Sequence, residues 1–145
     1  MFEISATTLI NAPIETVWQT IMAFNSYKEW STMLHYLGGE AIVGKPIQLR
    51  LVMPSGTDYK FSPQVIDVIP NKRFAWKATT FVNGVFDGEH SFDLSVVGNQ
   101  TQLVNHEVYK GILSPIFKRL PMMKDAPTGF EAMNQEIKAR AEAQK

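Results

Sequence analysis

The stretch from Thr128 to Ala143 constrains the fold most. It is a run of strong helix formers placed after Pro127, so it reads as a helix. At about 100° per residue, Phe130, Met133, Ile137 and Ala141 share one face with Asn134 at its edge. Glu131, Gln135, Glu136, Lys138 and Glu142 take the other side. Three large side chains on a narrow stripe, at roughly 1.5–3 kcal/mol each when buried, do not hold a helix alone. It needs a wall, and the chain before it reads mostly as strands. The expected class is α+β: a curved antiparallel β-sheet wrapped around a long C-terminal α-helix, with two short helices after the first strand.

Composition bounds the alternatives. A chain of 145 residues with 45% hydrophobic residues suits a single domain, residues 1–145, with one core. The formal net charge is zero and no basic stripe with interleaved aromatics occurs, so nucleic acid is not an expected partner. The absence of cysteine excludes disulfides, thiolate catalysis and cysteine-bound metal. No basic segment leads into a long apolar run, and no apolar stretch reaches the roughly 18 residues that a membrane helix needs. A soluble cytoplasmic protein without stable membrane insertion is the expectation.

Phe2, Ile4, Ala6 and Ile10 alternate with polar residues as in a half-buried strand. Asn11 as cap and Pro13 in the first turn predict a helix whose Ile14, Val17, Trp18, Ile21 and Met22 face the core. Ser26 and Glu29 have capping-box spacing for a second short helix with Tyr27 and Trp30. Gly38-Gly39 and Gly44 surround a short strand, and Ile47, Leu49, Leu51 and Met53 mark the next. Pro54-Ser55-Gly56 is a turn, and Tyr59 to Ile69 reads as one long strand. After Pro70-Asn71-Lys72 comes a strand through Phe74–Ala78. Asn83-Gly84 signals a hairpin into Val85–Val97, and Gly98-Asn99 joins that strand to Thr101–Ile112. Ser114-Pro115 opens a short helix that Pro121 ends.

Ile10-Asn-Ala-Pro-Ile-Glu-Thr-Val-Trp18, Tyr27-Lys-Glu-Trp30, Phe86-Asp-Gly-Glu-His-Ser-Phe92 and Gly129-Phe-Glu-Ala-Met-Asn134 together resemble the polyketide cyclase/dehydratase branch of the START/Bet v 1-like (SRPBCC) superfamily. The resemblance spans essentially the whole chain. It implies a helix-grip fold with a cavity between sheet and helix for an apolar ligand. Members of that superfamily include lipid and sterol carriers, hormone receptors, aromatase/cyclases and co-chaperones. No catalytic set common to them carries over to residues of this chain, so the resemblance speaks for fold rather than activity.

Register places the candidate lining. If Gly98-Asn99 is a two-residue turn, Val97 pairs with Gln100, and Leu94, Phe92 and His90 fall opposite Leu103, Asn105 and Glu107. The apolar pair at the turn marks that face as inner, which points His90, Asn105, Glu107 and Tyr109 into the grip. One residue bulged at Gly88 brings Trp76 opposite Phe92 and Phe74 opposite Leu94. His90 and Glu107 are then either a structural hydrogen bond, an acid/base pair, or polar contacts for a ligand. Trp30, Tyr59, Trp76, Phe117, Phe130, Met133, Asn134 and Ile137 complete the candidate ligand-binding set. Met53, Met122 and Met133 are ordinary packing residues whose thioethers also suit a pocket of adaptable shape. Ile112–Met123 reads as a connector over the sheet rim, as a lid, or as a membrane-docking patch.

No nucleophile elbow, phosphate loop or dinucleotide fingerprint is present, and His35, His90 and His106 are not spaced as metal ligands. The expected function is binding of a small, largely hydrophobic molecule, without cofactor or metal. The alternatives are a cofactor-free polyketide cyclase/dehydratase using His90 and Glu107, and a protein-interaction module of co-chaperone type.

Overall fold

A computed structural model describes residues 1–80 and 82–144. Its strands are β1 (Phe2–Ile10), β2 (Leu34–Gly39), β3 (Ile47–Val52), β4 (Asp58–Phe61), β5 (Gln64–Ile69), β6 (Arg73–Thr80), β7 (Phe86–Val97) and β8 (Gln100–Lys110). Helix α1 (Ile14–Met22) and a 3₁₀ turn (Phe24–Glu29) follow β1, while α2 (Ser114–Phe117) and α3 (Pro121–Gln144) follow β8. Every strand pair is antiparallel, in the orders β1-β8-β7-β6-β5 and β2-β3-β4. A bridge between Pro46 and Gln64 joins the two sets into one curved wall. This is a helix-grip fold, with α3 gripped by the wall.

The β7–β8 register follows from its turn. Val97 pairs with Gln100, Leu94 with Leu103, Phe92 with Asn105 and His90 with Glu107. The β6–β7 register departs from expectation. Trp76 lies opposite His90 and Phe74 opposite Phe92, and the ladder runs unbroken through Gly88, which pairs with Ala78 and Tyr109. The cause is loop length: Asn83-Gly84 occupy the middle of a turn closed by the Val85 N–H on the Val82 carbonyl at 3.3 Å, and β6 ends at Thr80. Because the offset is two residues, side chains keep their facing and Trp76 still points inward.

Prolines divide the chain differently from the periodicity reading. The run Tyr59–Ile69 is two strands, because Pro63 has no N–H for a ladder; β4 pairs with β3 in one set and β5 with β6 in the other. Pro121 begins α3 instead of ending α2, since a first-turn proline gives up only an N–H that has no helical partner. Pro127 then lies inside the helix. Neither expected side-chain cap forms: Pro13, not Asn11, precedes α1, and Ala23 precedes the 3₁₀ turn.

Helix α3 buries Gly129, Phe130, Met133, Asn134, Ile137 and Ala141. It lies closest to β1, then to α1 and β8. The Asn11 N–H donates to Glu142 at 2.8 Å, and Lys138 reaches the Leu9 carbonyl at 3.0 Å. The Thr32 N–H and hydroxyl both donate to Glu136, at 2.9 and 2.8 Å. Leaning on one edge of the wall, the helix leaves room along the side formed by β3, β4 and β6.

Candidate functional site

That room holds two adjoining chambers. An inner chamber of about 50 Å³ lies among Leu51, Met53, Trp76, His90, Phe130 and Met133. An outer chamber of about 270 Å³ opens among Ala78, Phe86, Gly88, Phe117 and Leu120. Tyr59, Phe61, Glu107, Tyr109, Met122 and Met123 line both and so stand at their junction.

The polar groups gather at that junction because β7 and β8 alternate with period two and their partner strands face the same way. The Tyr109 hydroxyl donates to Glu107 Oε2 at 2.6 Å, and His90 Nδ1 lies 3.4 Å from the same oxygen. The His90 ring stacks on Trp76 with centroids 4.9 Å apart and meets the edge of Phe130 at 5.0 Å. With Trp76 stacked on the imidazole and Phe130 in edge contact with it, the orientation of the ring is set by packing as much as by Glu107. A proton on Nδ1, donated to Glu107, leaves Nε2 as an acceptor, and that atom is buried without a partner.

Burial, then the nearby Glu107 charge and the hydrogen bond to it, push the Tyr109 phenol far above the usual tyrosine range. Tyr59 is 38% exposed as a residue, yet its phenol is enclosed enough that burial, followed by the Glu107 charge, pushes its pKa up to about 12. Both tyrosines are therefore hydrogen-bond donors at neutral pH.

Two glycines shape the cavity. A Cβ on Gly88 would lie 2.8 Å from Glu107 Oε1 and 3.4 Å from Tyr109, so the missing side chain makes the space that the carboxyl occupies. Gly88 is thus a space-maker in a regular ladder, not a bulge. A Cβ on Gly129 would lie 2.0 Å from the Met53 methyl, so Met53 packs directly on the α3 backbone.

Of the sequence candidates, the fold brings Tyr59, Trp76, His90, Glu107, Tyr109, Phe130 and Met133 to the inner chamber and Phe117 to the outer. Five lie elsewhere. Trp30 follows the 3₁₀ turn and packs on Tyr27 at 5.0 Å, and that turn gives no residue to either chamber. Phe92 and Asn105 sit one pair further toward the turn, where α3 closes on the sheet, and the Asn105 amide donates to Met133 Sδ at 3.5 Å. Asn134 faces β1 and donates to the Ala6 carbonyl at 3.0 Å, and Ile137 is core. Phe61, Phe86, Gly88 and Met123 were not among the candidates. Pro63 carried the signal for Phe61, since a strand ending there changes sheets.

Among the described residues, no group of three or more His, Asp or Glu side chains is arranged to hold a metal, and no helix is long and apolar enough to cross a membrane.

Residues 1–142 match the family model described as polyketide cyclase/dehydrase and lipid transport. No curated protein matches the chain in sequence. Among solved structures, protein CV1439 from Chromobacterium violaceum is 16% identical, with 97% of this chain and 96% of that one covered, at a TM-score of 0.72. The solution structure of the Aha1 dimer from Colwellia psychrerythraea is 21% identical over 100% of this chain and 99% of that one, at 0.71. DynU16, from the dynemicin biosynthetic locus, is 15% identical; 99% of this chain aligns with 48% of that one, at 0.69. Identities this low speak for a shared fold.

Proposed function

The chain belongs to the polyketide cyclase/dehydrase and lipid transport family, and from that premise we propose that it binds a small, largely apolar, aromatic molecule between the sheet and α3. One observation supports this above the others. The cavity walls are mostly aromatic and aliphatic, and apart from Tyr59 and the threonines Thr57, Thr79 and Thr80 their polar side chains meet in the Glu107–Tyr109–His90 cluster. Ligand pockets have that character: an apolar enclosure with a few placed polar groups. The ligand's body occupies the outer chamber, and a hydroxyl or similar donor reaches the cluster. The inner chamber, at about 50 Å³, admits a substituent and enlarges when a lining methionine such as Met53 or Met133 changes rotamer.

Native mass spectrometry of gently purified protein, with competition against a fluorescent apolar probe, tests the reading. An apolar compound should co-purify or displace the probe, and His90→Ala should weaken binding of hydroxyl-bearing aromatics more than of their unsubstituted counterparts. Equal weakening of both, or no displacement by any apolar aromatic, overturns it.

A second reading, cofactor-free cyclisation or dehydration of a polyketide-like substrate, has its own support. His90 Nε2 is unpartnered while Nδ1 meets Glu107, the arrangement of an acid/base pair. On that reading Glu107→Gln lowers turnover of a polyketide mimic by about 10²–10⁴-fold with the fold intact; undiminished turnover removes Glu107 from the chemistry.

A further inference from the structure

The end of the molecule where the outer chamber opens carries an exposed apolar cluster. Ile112 is 79% exposed, Ile116 64% and Val82 64%. Backbone bonds bring together the segments that carry these side chains: the Ile112 N–H donates to the Gly84 carbonyl and the Leu113 N–H to the Val85 carbonyl, both at 3.0 Å. The turn before α2 is thereby tied to the loop between β6 and β7. A Cβ on Gly111 would come within 2.4 Å of the Val85 carbonyl, so this junction needs glycine. Leu120 is exposed and also lines the outer chamber, which links the cluster to the opening.

Positive charge accompanies the cluster. Lys118, Arg119 and Lys124 follow it in sequence and are exposed, and they belong to none of the ion pairs among the described residues. Lys118 lies 5.9 Å above the Phe2 ring. The nearby acids are mostly engaged: Asp87 accepts the Gly84 N–H at 3.0 Å and lies 3.8 Å from Lys77, and Glu89 lies 3.6 Å from Lys110. Asp125, beside Lys124, is the exposed exception. In a chain of zero formal net charge this is a local cationic excess.

We propose that this end docks on an anionic lipid surface, with Ile112, Ile116 and Val82 entering the interface and Lys118, Arg119 and Lys124 meeting the headgroups. Charge complementarity selects the occupant. A second copy of the chain would set two cationic ends against each other, whereas an anionic bilayer supplies both the opposite charge and an apolar layer beneath it. The outer chamber, opening beside Leu120, then faces the bilayer, and an apolar molecule exchanges between them without crossing water. A contrasting patch formed by Leu37, Ile42 and Val43 is also exposed, but it carries charges of both signs in Glu40 and Lys45 and borders neither chamber.

The test is sedimentation of the ligand-free protein with vesicles of phosphatidylcholine alone and of phosphatidylcholine with phosphatidylserine in equal parts, at low and high salt. Binding is expected to the phosphatidylserine vesicles, to fall as salt rises, and to drop at least about fivefold for each basic residue reversed in Lys118→Glu and Arg119→Glu. Ile112→Ser with Ile116→Ser should weaken binding at both salt concentrations, and Ile42→Ser with Val43→Ser should leave it unchanged. All six positions are exposed, and circular dichroism of each variant checks that the fold is kept. Equal binding to both vesicles, no binding, indifference to charge reversal, or a dimer through this face in sedimentation velocity overturns the proposal. Ligand displacement is read separately, so either result stands without the other.

Discussion

The two halves of α3 make opposite use of one helix. From Phe130 to Ala141 its inner face is buried: Phe130 and Met133 close the inner chamber, Asn134, Ile137 and Ala141 pack as core, and Glu142, Lys138 and Glu136 tie its outer side to the C-terminal end of β1 and to Thr32. From Pro121 to Thr128 only Ala126 is buried, Met122 and Met123 line the cavity, and Pro127 deprives the Met123 carbonyl of its helical donor. One half anchors and the other extends from the anchor over an opening. The lesson is that the cavity exists where the helix is held away from the sheet, and that the same hydrophobic stripe can fill a core at one end and line a pocket at the other.

The largest expected effect breaks or upholds that contrast directly. Ile137→Ala should cost roughly 2–5 kcal/mol in urea unfolding, because its site is fully enclosed, while Met123→Ala should cost less than about 1.5 kcal/mol because its surroundings are already open. Equal costs would mean that the two halves are packed alike.

Hydrogen exchange gives the next contrast. Amides of residues 133–141 should exchange at rates near those set by global unfolding, and amides of residues 124–126 at least about tenfold faster through local opening. Uniform protection along α3 would make the first turns part of the anchor.

Gly129→Ala sharpens the boundary between the halves. The new methyl must displace the Met53 side chain, while alanine gains about 1 kcal/mol of helix propensity over glycine. Net stability should stay within about 1 kcal/mol of the parent, yet affinity for an apolar probe should fall as Met53 swings into the inner chamber. Unchanged probe affinity would place Met53 outside the ligand's path.

The smallest effect is at the junction. Tyr59 should ionise near pH 12 in a tyrosinate absorbance titration, and Tyr59→Phe should remove that step. Since its folded pKa lies above the ordinary tyrosine value of about 10, the folded state holds the proton more tightly; the resulting stability is complete below pH 10 and is lost as pH rises through about 12. Ionisation near pH 10 would mean that the Tyr59 phenol is not enclosed beside Glu107.

Much of the wall was legible in the residues. A two-residue turn at Gly98-Asn99 with Leu94 opposite Leu103 leaves β7 and β8 a single pairing, and His90 meets Glu107 as a consequence. Trp76 reached its face despite a wrong register, because the error was even. Trp30, an aromatic with no periodic neighbours, carried no information about its facing, and nothing local said that Gly88 clears space for Glu107 rather than bulging.

Alternation, turn chemistry and the apolar stripe of α3 are local, so the sequence by itself determined the strands around His90 and Glu107, the antiparallel wall and the helix that the wall grips. Where that helix lies along the wall depends on contacts between residues far apart in the chain: Asn11 with Glu142, Thr32 with Glu136, Met53 with Gly129. Such contacts seat α3, chiefly against β1, and only the tertiary structure decided that the space left along β3, β4 and β6 is a cavity with Glu107 at its junction. No periodicity encodes a gap, since a gap is set by which distant surfaces meet first.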